Sequence, residues 1–277
     1  MQGKTVVATG ATSGIGEIAA VELAGMGARV VFIARDAKRA EATLAKLEAV
    51  APGCGHRAHI ADLSLVAETR RVGGEIAASE ARVDVLINNA GAIFSDRRVT
   101  AEGLEMTFAL NHMAYFTLTQ TLRDRLVGSS PTRVVSTASA AHYGAKLDFD
   151  DLQCAHGYSA WRAYNRSKLA NILFTRELAK RLAGTGVTAN CLHPGVVASR
   201  FGDAAGGWTG RLFPIFKRFA ISPAQGADTI VYLASSPDVA TVSGGYFAKR
   251  KVKTPSRAAS DDAAAARLWE KSEAIAR

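Results

Sequence analysis

Short apolar runs rich in β-branched residues alternate along the chain with longer segments whose apolar positions recur at helical spacing. The short runs fall at Thr5–Thr9, Arg29–Ala34, 56–61, 83–88, 133–138, Val187–His193 and 245–248, and each reads as a strand. Helical periodicity fills most of the intervals, at 14–26, Ala37–Val50, 65–81, 101–126, 159–183, Pro223–Ser235 and 262–276. Strands that alternate with helices need crossover connections. The pattern therefore predicts an α/β fold with a parallel, doubly wound sheet of about seven strands and helices on both faces. No repeat, low-complexity linker or break in composition divides the sequence, so one domain is expected over residues 1–277. Its cofactor half would cover about 1–130 and its catalytic and substrate half about 131–277.

Two segments depart from this rhythm, and both follow the carboxyl ends of strands, where open parallel sheets bind ligands. Residues 140–157 separate the fifth strand from the helix at 159–183. Residues 196–221 carry four glycines together with Trp208, Phe213, Phe216 and Phe219, and read as a lid with apolar residues to close over a substrate.

The link from the first strand to the first helix reads TGATSGIG. Gly10 allows the tight turn, Gly14 lets backbone approach a pyrophosphate, and Gly16 lets helix and sheet pack closely. Free N–H groups at the helix start, with Ser13 and Ile15 beside these glycines, would meet the phosphates. This is the nucleotide loop of a Rossmann-type fold. The end of the second strand selects the cofactor, because an acid there suits the ribose hydroxyl of NAD and an arginine the 2′-phosphate of NADP. Ala34 stands where the acid is expected and Arg35 follows, with Lys38 or Arg39 in support, so NADP(H) is preferred and NAD(H) remains possible. Asp36 reads as the N-cap of the next helix. Asp62, followed by Leu63, can accept from the adenine amino group or cap the next segment. Asn88 and Asn89 can brace neighbouring strands, while Ala90 and Gly91 leave room beside the cofactor.

Composition narrows the function classes. Hydrophobic residues make up 48% of 277, as in a globular protein, and no run is long enough for a transmembrane helix. The first strand starts almost at once, which leaves no room for a signal peptide and points to a cytoplasmic protein without a membrane anchor. Net charge is +9, but the basic residues are scattered rather than set in one stripe with aromatics, which argues against a nucleic-acid partner. Cys54, Cys154 and Cys191 show no metal or redox spacing, and no metal is expected.

The stretch AYNRSKLAN places Tyr164 and Lys168 one helical turn apart on one face. A fixed positive charge beside a phenol favours the phenolate, so Tyr164 could act as acid or base below its free pKa of about 10.

Taken together, TGATSGIG, NNAG, a serine after the fifth strand, YNRSK and HPG resemble the short-chain dehydrogenase/reductase family over essentially the whole chain. LNHMAYFTLT, LDFDDLQ, SGGYF and ARLWEKSE resemble its retinol-dehydrogenase-like branch. The resemblance implies a catalytic set of Asn111, Ser139, Tyr164 and Lys168. It also puts Pro194, Gly195, Val197 and Ser199 near the nicotinamide. In the implied reaction Ser139 holds a carbonyl oxygen, Tyr164 gives the proton as hydride arrives, Lys168 binds ribose hydroxyls, and Asn111 holds a water linking Lys168 to solvent. The expected activity is NADP-dependent interconversion of a carbonyl and an alcohol on a small-to-medium apolar substrate. Reduction of an activated carbon–carbon double bond and a cofactor-sensing regulator without turnover are the alternatives. The same resemblance implies a possible homo-oligomer through the helices at 101–126 and 159–183. His112, His142 and His193 carry no implied chemistry, and Tyr158 and Trp161 read as anchors of the Tyr164 helix or lining of the cleft.

Overall fold

A computed structural model describes residues 1–195 and 221–277. Strands β1 (Thr5–Thr9), β2 (Arg29–Ala34), β3 (Arg57–Ile60), β4 (Val85–Asn88), β5 (Thr132–Thr137), β6 (Val187–His193), β7 (Tyr246–Ala248) and β8 (Lys251–Val252) form one sheet. Their order is β3-β2-β1-β4-β5-β6-β7-β8. Every neighbouring pair is parallel except β7 and β8. The eighth strand adds to the expected seven. It is a two-residue antiparallel return after Lys249 and Arg250, which both take positive φ, too short to leave a periodic signal in the sequence.

Successive residues of a strand point to opposite faces, and the sheet sorts them accordingly. Val6, Ala8, Val30 and Phe32 pack with helices α1 (Gly14–Gly25), α2 (Ala37–Val50) and α8 (Pro223–Ser235). Val7, Val31 and Ile33 face the other way, onto α3 (Val66–Ser79) and the helical run α4 (Met106–Phe108), α5 (Ala114–Thr121) and α6 (Arg123–Gly128). Helix α7 (Ala160–Arg181) shares that second face, and α9 (Asp262–Ile275) lies on α7. Trp269 of α9 stacks on Phe174, with ring centroids 6.0 Å apart, and meets Phe116 edge-on at 5.0 Å.

The run expected as one helix at 101–126 is broken up. Gly103 takes φ +80, and Val99 pairs with Glu105 in an isolated bridge. The buried Glu105 then caps the helix by accepting from the N–H groups of Thr107 and Phe108, both at 2.8 Å. Between α4 and α5 the turn Ala109–Met113 widens to π geometry. Such widened turns recur at functional sites, and this one holds Asn111.

Candidate active site

The glycine loop sits where β1 and β4 lie side by side while the strand order reverses, the position at which doubly wound sheets bind dinucleotides. Gly10 has φ +67, and a Cβ there would come within 2.9 Å of the Ala90 backbone. At Gly16 the fit is tighter still, because a Cβ would collide with the Gly10 carbonyl and the Asn89 amide. Gly14, at φ +58, faces open space. Ser13 is the exposed N-cap of α1 and makes no side-chain cap, so the first N–H groups of the helix, Ile15 included, point toward that opening.

At the end of β2, Asp36 caps α2 by accepting from the Arg39 N–H at 2.8 Å. Its carboxylate is thereby turned to the helix, and Arg35, Lys38 and Arg39 are exposed with no ion pair among the described residues. Asp62 accepts from both N–H and hydroxyl of Ser64, at 2.9 and 2.7 Å through one oxygen, while Leu63 is buried beside it. Asp62 is not the cap of α3, since that position belongs to Leu65.

Asn88 donates to Thr119 Oγ1 at 3.0 Å, bracing β4 against α5. Asn89 donates to the Gly10 carbonyl at 3.3 Å and accepts from Thr137 Oγ1 at 3.0 Å. Thr9 Oγ1 takes the N–H groups of Asn89 and Ala90. The glycine loop is thus tied through Asn89 to the end of β5.

Thr137 carries the tie onward. Its carbonyl accepts from Lys168 Nζ at 2.9 Å and from Asn171 Nδ2 at 3.3 Å. Lys168 is buried, and its Nζ lies 5.7 Å from the Tyr164 ring centroid and 5.9 Å from that of Tyr115. A Cβ on Gly91 would stand 3.1 Å from Asn111 Oδ1 and 3.6 Å from Lys168 Nζ, so the bare glycine keeps the space between them. Asn111 accepts from Ala92 N–H at 2.8 Å and donates to the Ala92 carbonyl and Ser167 Oγ at 2.9 and 3.0 Å. Its amide braces the NNAG loop against α7, leaving a lone pair of Oδ1 for any water.

Ser139 lies just past β5, its Oγ accepting from Ala141 N–H at 3.1 Å. The Ser139 side chain also hydrogen-bonds the Tyr164 phenol. Burial pushes Tyr164 up to about 12, while that bond from Ser139 pulls the other way. Burial also drops Lys168 to about 7. Desolvation opposes the charged form of a buried group whatever its sign, so burial works against the phenolate that a neighbouring positive charge favours. Asn111, Ser139, Tyr164, Lys168 and Gly91 come together at the ends of β4 and β5. Pro194 and Gly195 follow β6, with the Gly195 N–H donating to His193 Nδ1 at 3.4 Å. Val197, Ser199 and nearly all of 196–221 lie outside the described residues.

Three further residues lie at this site without having been singled out for it. The Thr137 carbonyl anchors Lys168 and also accepts from Asn171, and the fully buried Tyr115 packs beside Lys168, one turn beyond Asn111. Tyr158 donates to the Phe94 carbonyl at 2.8 Å and anchors the start of α7, whereas Trp161 is 40% exposed with its ring edge-on to Tyr164. Ile93, Ala141 and Ala160 pack around the phenol. The periodic signal of α7 contained Asn171, but its partner is a carbonyl, which carries no residue identity. Cys191 is buried, its thiol pushed up to about 12 by desolvation, which fits an unreactive group.

A glycine loop at the sheet's switch point together with a Tyr–Lys pair on α7 defines an NAD(P)-dependent oxidoreductase of alcohols and carbonyls. A sequence profile described as short chain dehydrogenase matches residues 4–208. Human (Homo sapiens) retinol dehydrogenase 13 is 41% identical over 276 residues, which span 98% of this chain and 83% of that protein. The chain belongs to the short-chain dehydrogenase/reductase family, in the branch that resembles the retinol dehydrogenases. Among solved structures, an uncharacterised protein from Mycobacterium paratuberculosis superposes with a TM-score of 0.79 at 33% identity, covering 99% of this chain and 94% of its own. A short-chain dehydrogenase from Burkholderia cenocepacia in complex with NADP gives 0.72 at 26% identity, covering 89% and 96%. Among the described residues no helix is long and apolar enough to cross a membrane.

Proposed function

We propose that the protein is an NADP(H)-dependent carbonyl reductase or alcohol dehydrogenase for a small-to-medium apolar substrate, with Tyr164 carrying the proton. The convergence of Tyr164, Lys168 and Ser139 beside the cradle of Gly10, Gly14 and Gly16 is the observation that carries this reading. The cradle fits a dinucleotide: Gly16 is too tightly packed for any side chain, and Gly14 faces open space next to free helix N–H groups. Gly10, Ser13, Gly14, Ile15 and Gly16 would hold the pyrophosphate, Asp62 and Leu63 the adenine, Asn89, Ala90 and Gly91 the middle of the cofactor, and Pro194 and Gly195 its nicotinamide end. Arg35, with no acid in ion-pair reach among the described residues, suits the 2′-phosphate of NADP, and a relative binds that cofactor.

The bound nicotinamide supplies or takes up the hydride. Ser139 positions the substrate oxygen and Tyr164 exchanges the proton with it. Burial holds the phenol protonated in the ligand-free protein, which is the form a proton donor needs. Lys168, pinned by Thr137, has two more N–H bonds to offer to ribose hydroxyls. Ile93, Ala160 and Trp161 give the cleft an apolar wall, in keeping with a relative named for retinol. The three thiols are free, in keeping with a reducing cytoplasm. The test is NADPH oxidation with a panel of apolar aldehydes and ketones. Tyr164→Phe should lower kcat about 10²–10⁴-fold with NADPH affinity nearly intact. Equal turnover in that variant would overturn the assignment. Turnover confined to activated alkenes, or NADPH binding with none, would transfer the case to the other two functions.

A further inference from the structure

His142 is buried three residues beyond Ser139, in the short 3₁₀ turn Ala140–His142. Its Nδ1 lies 2.7 Å from the Ser139 carbonyl, and its Nε2 lies 3.1 Å from the backbone nitrogen of Ser256. A backbone N–H can only donate, so Nε2 must be bare and Nδ1 must carry the proton that goes to Ser139. The ring is wedged between Tyr143 of the same turn and Tyr246 of β7, with centroids 4.1 and 5.1 Å away. Tyr143 adds a second tie to the same segment by donating to the Thr254 carbonyl at 2.9 Å. That segment is itself fixed. Ser256 Oγ accepts from the Ala259 N–H at 3.3 Å, Asp261 caps α9, and Ala259, Ala265 and Leu268 are buried with Ala138, Leu169 and Leu173.

We propose that His142 is a positioning residue through which the C-terminal segment from Thr254 onward orients the catalytic serine. The inference rests on the proposed role of Ser139. The serine's carbonyl is held twice, by the ring of His142 and by its backbone N–H at 3.2 Å. Its Oγ accepts from the Ala141 N–H and hydrogen-bonds the Tyr164 phenol, so the orientation of the serine's backbone sets how the hydroxyl meets the phenol and a substrate. Loss of the tie to Ser256 lets the ring, and with it the serine's backbone, turn. An arriving proton would fill Nε2 of His142 and set it against the Ser256 N–H. The titratable groups that face the ring are Tyr143, Tyr246 and His193 of β6, and among the described residues no carboxylate is paired with it.

Four variants separate positioning from mere packing. His142→Asn keeps a donor where Nδ1 stands but falls short of Ser256. His142→Gln reaches Ser256 and loses the donor to Ser139. Ser256→Pro removes the distant N–H without touching the catalytic turn, and His142→Phe removes both bonds while keeping the ring. Each of the four should lower kcat with NADPH and a carbonyl about ten-fold, as expected for one lost buried hydrogen bond, with KM and NADPH affinity little changed. His142→Phe combined with Ser256→Pro should be no slower than either alone, since both break one connection. Losses that multiply, or an unchanged kcat in the folded His142→Asn and Ser256→Pro proteins, would overturn the proposal. A readout independent of turnover is the ¹⁵N spectrum of histidine-labelled protein, which should show His142 protonated at Nδ1 and bare at Nε2, with Ser256→Pro shifting the Nε2 signal. The opposite tautomer sinks the positioning role even if the enzyme is active. The expected spectrum in a protein without carbonyl turnover faults the reading of Ser139 instead.

Discussion

Arg35 is the residue whose removal should change cofactor choice alone. It stands exposed at the end of β2, Asp36 beside it is occupied as a cap, and no side-chain bond among the described residues holds the guanidinium. Arg35→Ala should weaken NADPH binding about ten-fold, the lower end of what a charge-assisted hydrogen bond contributes, and leave NADH binding unchanged; fluorescence titration with both cofactors reads it. Asp36 was legible as a cap because capping depends on three neighbouring residues. Tyr164 and Lys168 were legible for the same reason, since their spacing is local. Their protonation was not. The depth at which β5, α5 and α7 enclose them, a product of segments far apart in sequence, adds a desolvation cost that two adjacent side chains do not reveal. The anchor of Lys168 escaped notice for a related reason: it is the Thr137 carbonyl, and a carbonyl looks the same in every residue.

At the scale of elements, the junction of β1 and α1 decides whether the cradle exists. A methyl group at Gly16 would overlap the Gly10 carbonyl and the Asn89 amide, which are backbone and a braced side chain. Gly16→Ala should therefore abolish measurable NADPH binding and lower the melting temperature. Gly14→Ala meets nothing within 4 Å and bears only the strain of positive φ, about 1 kcal/mol. It should melt close to the parent protein. Equal melting temperatures for Gly16→Ala and the parent would contradict the packing. Strands β1, β2 and β6 and helices α2 and α8 occupy the residues their periodicity marks, because apolar spacing and caps act together there. The run at 101–126 was misread as continuous. Its start is set by Glu105, whose partners are nearby N–H groups but whose burial depends on the rest of the fold, and its widened turn serves contacts of Asn111 with Ala92 and α7 that periodicity does not encode.

For the whole molecule, burial of imidazoles sets a limit at acid pH. Desolvation lowers His112 and His193 to about 4, whereas in an unfolded chain both would take up protons near 6.5. Between those values the unfolded state binds more protons, so stability is complete above about pH 6.5 and falls as pH drops toward 4. The fully buried His112 alone should account for a loss on the order of 3 kcal/mol. Urea midpoints measured from pH 7 to 4.5 should decline steadily, and a flat series would refute the burial. Helix α9 has a separate consequence for assembly. Its Trp269 occupies the aromatic stripe of Phe116 and Phe174, and Asp262 pairs with Arg176 and Lys180 along the seam. A neighbouring copy that approached these helices would first meet the charged outer side of α9, so any association through them would require that helix to lift away and surrender its own contacts.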